Sequence, residues 1–89
     1  MMYPYMILAG EIEITHSHII EKNGQKEVEV HFERPTNKGF DSARCALPSY
    51  RWIEKRGFSI EEIEEFEQFL KHNAHLLYKY AASGGINIA

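Results

Sequence analysis

From Glu11 to Glu33 the chain reads EIEITHSHIIEKNGQKEVEVHFE, and apolar and polar residues alternate on both sides of Asn23-Gly24. Alternation with a period of two is the pattern of a half-buried strand, whose successive side chains point to opposite faces. Asn23 and Gly24 both tolerate positive φ, so they mark a hairpin turn. Two turns compete. A two-residue Asn23-Gly24 loop pairs Lys22 with Gln25, sets Ile20 against Glu27 and His16 against His31, and leaves both sheet faces mixed. A three-residue Lys22-Asn23-Gly24 loop pairs Ile14 with Phe32, His16 with Val30 and His18 with Val28. One face is then apolar, and the other carries Glu11, Glu13, Glu27, Glu29 and Glu33. A one-residue slip turns a whole strand over, so burial selects the segregated, three-residue register.

The flanking segments extend this pattern. Tyr5–Leu8 is a short apolar strand that turns at Ala9-Gly10. Residues Arg34 to Gly39 read as a loop by composition. Phe40–Leu47 alternates again, with Ala43, Cys45 and Leu47 on one parity, and Pro48 ends it. Pro48 to Gly57 reads as a packed-down, partly helical connection. Ser59 is a helix N-cap with Glu62 three residues on, a capping box, and Phe58 and Ile63 make a hydrophobic staple across it. Ile63, Phe66, Leu70, Ala74, Leu77 and Ala81 form one apolar stripe, and Ser83-Gly84-Gly85 stops the helix. Ile86 and Ile88 beyond it suit an extra short strand.

The expected fold is therefore α+β: an antiparallel sheet of about four strands packed against one long C-terminal helix of about twenty residues, roughly 30 Å long. The 89 residues make one domain, 1–89. Hydrophobic residues make up 44% and charged residues 26%, a globular balance. One helix covers one sheet face, yet the apolar stripe is wide and tyrosines stand at 3, 5, 78 and 80. A second copy of the chain is the expected partner, giving a homodimer, with another protein as the alternative. Cys45 has no partner for an intrachain disulfide, and the N-terminus has neither a basic lead nor a long apolar run. Both point to a cytoplasmic protein without a membrane segment.

Four sets of residues bear on chemistry. His16 and His18, two apart on a strand, share a face and are the candidate metal ligands. A zinc site asks for a third and a fourth ligand, and the competing reading is a pair of half-buried core or contact histidines. Arg44, Arg51, Trp52 and Lys55 combine basic and aromatic groups as a single-stranded nucleic-acid binder requires, but the net charge of −3 opposes that reading. Cys45 is a core residue rather than a nucleophile, and His72 and His75 belong to a solvated helix face. The residues assemble no catalytic set and assign no cofactor. The leading reading is a non-enzymatic module that self-associates and acts by protein contact. Metal-dependent chemistry at His16 and His18 stands second, and single-stranded nucleic-acid binding third.

The segment Arg56-Gly57-Phe58-Ser59-Ile60-Glu61-Glu62-Ile63, followed by Phe69-Leu70-Lys71-His72-Asn73-Ala74-His75-Leu76-Leu77, resembles small bacterial proteins of unknown function of the DUF4160 group. There a strand set is followed by a Gly-Phe-Ser entry into a helix bearing an Asn near its end. This chain departs from them in lacking a Pro-Pro-His-x-His motif near its start and a tryptophan near the helix end. The resemblance implies a small bacterial cytoplasmic accessory or regulatory protein and carries over no catalytic residue.

Overall fold

A computed structural model describes residues 2–85. It contains β1 Met2–Leu8, β2 Ile12–Ser17, β3 Ile20–Lys22, β4 Gln25–Thr36, β5 Gly39–Leu47, β6 Arg51–Arg56 and α1 Ile60–Ser83. The strands form one antiparallel sheet in the order β1-β2-β4-β5-β6, with β3 paired to β4 beyond the end of β2. The α+β expectation holds, but among the described residues the sheet has six strands rather than about four. The expected docking of Ile86 and Ile88 lies outside the described residues.

The central hairpin resolves the competition between the two turns by using both registers. Along β2, Ile14 pairs with Phe32 and His16 with Val30, as the segregated register requires. Along β3, Ile20 pairs with Glu27 and Lys22 with Gln25, so the turn is the two-residue one, with Asn23 at φ 51° and Gly24 at φ 78°. Two positive φ values in succession suit the right-handed twist of the flanking strands. Four residue steps from His16 to Ile20 thus span three from Val30 to Glu27, and the extra residue breaks the strand at His18-Ile19. The break corrects the expectation that His16 and His18 point the same way. His16 is fully buried and His18 is exposed. Ile19, not His18, packs against the core. Hydrophobic burial favours that exchange, because it puts an isoleucine where an imidazole would need hydrogen-bond partners.

Two further segments differ from expectation. Residues 34–36 continue β4 and Gly39 begins β5, which leaves Asn37-Lys38 as a tight turn in place of the expected loop. Pro35 is tolerated there because it sits opposite Phe40 near the strand end. The stretch expected to be a partly helical connection is an edge strand, β6. Its pairing with β5 shifts register between Arg44 and Cys45, so that Cys45 faces Trp52 and Arg44 faces Glu54.

One face of the sheet carries Val28, Val30, Phe32, Ala43, Cys45 and Leu47, all fully buried under α1. The helix turns Ile63, Phe66, Leu70, Leu77 and Ala81 inward. Its capping box is complete: the Glu62 N–H donates to Ser59 Oγ at 3.1 Å, and the Ser59 N–H donates to Glu62 Oε1 at 2.9 Å. Gly84 closes the other end in the left-handed conformation, φ 83°, where a side chain would be strained. Three polar contacts fix the helix across the sheet. Arg34 on β4 reaches Glu62, Trp52 Nε1 on β6 donates to Glu67 Oε2 at 2.9 Å, and Tyr5 Oη on β1 donates to Asn73 Oδ1 at 2.7 Å. Among the described residues, no helix is long and apolar enough to cross a membrane.

Candidate functional site

The helix-facing side of the sheet is committed to structure. His16 donates from Nδ1 to the Ser17 carbonyl at 2.8 Å and packs against the rings of Tyr3 and Tyr5, with centroids 5.6 and 6.2 Å away. Among the described residues its Nε2 is buried without a hydrogen-bond partner, a state that costs about 1–3 kcal/mol. His18 lies in the strand break on the surface, so the two candidate ligands are not brought together. Among the described residues, no three His, Cys, Asp or Glu side chains gather closely enough to hold a metal ion.

Cys45 sits in the core between Val30 and Trp52. Burial, reinforced by the charge of Glu67, pushes its thiol up to about 12. At pH 8 only about one such thiol in ten thousand is ionised, and the thiolate is the reactive form. Iodoacetamide is therefore expected to label Cys45 at least about a hundredfold more slowly in the native protein than in urea-unfolded chain. Intact-mass spectrometry over a time course measures this, and equal rates in the two states would contradict the burial.

The four residues of the nucleic-acid reading separate. Arg44 and Arg51 lie on the face away from the helix, where each has a carboxylate beside it: Glu54 at 3.8 Å and Glu27 at 3.9 Å. Trp52 turns to the other face, with its ring against Phe32 and its N–H on Glu67. Lys55 pairs with Ala43 on that same helix side. The indole is therefore not available as a stacking platform next to the two arginines.

At the mouth of the core, Arg34 ties β4 to β5, to α1 and to the segment that leads into the helix. Its Nε and Nη2 both donate to Asp41 Oδ2, at 3.0 and 2.8 Å, its Nη1 donates to Glu62, and its guanidinium lies 4.7 Å from the centre of the Phe58 ring. Arg34, together with the Ser59 backbone amide, holds the Glu62 carboxyl below the usual carboxylate range. Gly57 lets Asp41 reach this position: a Cβ there would fall 2.0 Å from Asp41 Oδ1. This cluster clamps the helix start to the sheet.

What remains is the open face of the sheet. Strand pairing lays it out as a grid. One row runs Pro4, Thr15, His31, Arg44, Glu54, and the next runs Ile7, Glu13, Glu33, Ser42, Arg56. Beyond them Pro35 pairs with Phe40. Ile7 is 71% exposed and Phe40 is 60% exposed. With Glu11, Glu13, Glu33 and Pro35 they line a shallow groove. Glu13 stands directly opposite Glu33, a like-charge pairing that disfavours the sheet. Among the described residues, neither of them is in an ion pair, and neither is Arg56. The acidic columns are β2 and β4, and the arginines stand on β5 and β6. The Glu13–Glu33 opposition follows from the Ile14–Phe32 register and is legible in the sequence. The place of Arg56 is not, because no apolar alternation marks β6 as a strand.

Comparison with known proteins gives no match, whether to a family model, a curated protein or a solved structure. The likeness to the DUF4160 group therefore rests on the residues from Arg56 to Leu77 alone.

Proposed function

We propose that this chain is a non-enzymatic interaction module, a cytoplasmic homodimer that acts by protein contact. The observation that carries this reading is the open sheet face. It presents exposed Ile7 and Phe40 beside charges that have no partner among the described residues, while α1 is spent on the opposite face. The solvent side of that helix carries Glu61, Glu64, Glu65, Gln68, Lys71, His72 and His75, all polar, and its large exposed apolar residue, Ile60, lies at the first position of the helix, away from Ile7 and Phe40 in sequence and on a different element. Large exposed apolar residues rimmed by polar ones are characteristic of protein contact surfaces. A bacterial accessory or regulatory role, the one the DUF4160 resemblance implies, fits such a surface.

The experiment is sedimentation over a wide range of protein concentration, joined to recovery of the tagged protein from lysate of its source organism with and without nuclease. A concentration-dependent dimer, alone or with a stoichiometric protein that survives nuclease, is the expected result. A chain that stays monomeric and loses its bound material on nuclease treatment would overturn the reading in favour of nucleic-acid binding.

A further inference from the structure

Resting on the reading of the chain as a self-associating module, we propose that two copies pair through their open sheet faces about a two-fold axis, with Arg56 of each copy seated on Glu13 of the other. One row of the open face crosses four adjacent strands: Glu13 on β2, Glu33 on β4, Ser42 on β5 and Arg56 on β6. Its acidic members lie at one side and its basic member at the other. A two-fold axis parallel to the strands, above the open face and midway between β4 and β5, reverses this row onto itself. Arg56 of the second copy then lies over Glu13, and its Ser42, small and uncharged, over Glu33. Both ends of the row are satisfied by a single operation, as an isologous contact requires.

The same axis places Phe40 of each copy over Pro35 of the other, because these two residues are paired across β4 and β5. The exposed ring and the exposed proline thus cover each other. Ile7, next to Glu13 in the row, lies along the aliphatic stem of the incoming Arg56. Stacked sheets sit about 10 Å apart, a gap that an arginine and a glutamate span together. The arrangement also accounts for the Glu13–Glu33 opposition, a repulsion within one copy that a guanidinium from the second relieves. Charge complementarity is what names the occupant. The face carries its own counter-surface, so the partner that fits it is another copy of this chain rather than a generally basic protein.

The test uses the full chain and two charge reversals at exposed positions, Arg56→Glu and Glu13→Arg. Each alone sets like charges against each other at both contacts of the dimer, and each is expected to weaken dimerisation about a hundredfold or more by sedimentation equilibrium. An equimolar mixture of the two variants is expected to recover the dimer mass. In that mixed dimer one contact is the parent Arg56–Glu13 pair, and the other is the same pair with its two charges exchanged. Circular dichroism of each variant checks that the fold is kept, and recovery on mixing is itself a readout that an unfolded chain cannot give. Variants that dimerise like the parent would overturn this pairing while leaving the self-association reading intact, as would variants that stay monomeric when mixed. A parent chain that is monomeric at every concentration would overturn both.

Discussion

Phe66→Ala is expected to lower stability by about 3–5 kcal/mol, a large share of the roughly 5–15 kcal/mol that holds an ordinary domain folded. Phe66 is 3% exposed and stacks on Phe32 with ring centroids 4.2 Å apart and planes inclined by 8°. Phe58 meets it edge-on at 5.0 Å. Phe32 in turn touches Phe69 and Trp52, so one truncation opens a gap at the centre of an aromatic cluster that joins β4, β6 and the first half of α1. The cavity is walled by flat, rigid rings that cannot collapse into it, which places the cost toward the upper part of the range. At about 4–8 °C per kcal/mol for a domain of this size, the melting midpoint should fall on the order of 20 °C. Phe66→Leu, which keeps most of the volume, should cost much less. Thermal unfolding at one fixed protein concentration measures both, since the proposed dimerisation would make the midpoint concentration-dependent. An unmoved midpoint for Phe66→Ala would mean that the helix presents a different face to the sheet.

The helix is the most legible element because several local signals agree on it. The Ser59–Glu62 box, the Phe58–Ile63 staple, the apolar stripe and Gly84 are each readable without knowledge of the partner surface; the box, the stripe and Gly84 appear in the structure, where Phe58 and Ile63 both join the core. The sheet is legible only where alternation is strict. At His18-Ile19-Ile20 the alternation fails: two histidines occupy inward parity and two isoleucines stand side by side. That doublet is the sequence's signal for a strand break, since no single register can bury Ile19 and keep Ile14 inward. Weighing two whole-hairpin registers against each other conceals the solution in which each applies to half of the arm. The edge strand β6 escapes for a different reason. Arg51, Glu54, Lys55 and Arg56 protect the edge from pairing with other chains, and such protection removes the apolar pattern by which strands are recognised. The candidate interface is half hidden as a result, because its acidic half lies on the legible hairpin and its basic half on β6.

Arg34→Ala is the second large effect, expected to cost about 2–3 kcal/mol at neutral pH. Three losses combine. Two carboxylates, Asp41 and Glu62, lose the guanidinium that bonds to both. The Phe58 ring loses a cation over its face. The start of α1 loses its tie to β4. The three charged side chains are each 21–29% exposed, which keeps the cost below that of breaking a fully buried pair. Arg34→Lys should recover only part of the loss, since an ammonium cannot fork to Asp41 and reach Glu62 in the same geometry. The pH dependence separates this clamp from plain packing. The Glu62 carboxyl is held below its ordinary value of 4.5, chiefly by the Arg34 hydrogen bond and then by the Ser59 amide. A depressed carboxyl contributes stability that is fully present above its unfolded value and is lost as pH falls through the lowered folded value. The difference in unfolding free energy between the parent and Arg34→Ala should therefore be constant from pH 8 down to the ordinary glutamate range and shrink below it. Urea unfolding at a series of pH values measures that difference. A gap that stays the same width into acid would show that Arg34 stabilises the fold by packing alone and that its pairing with Glu62 contributes nothing.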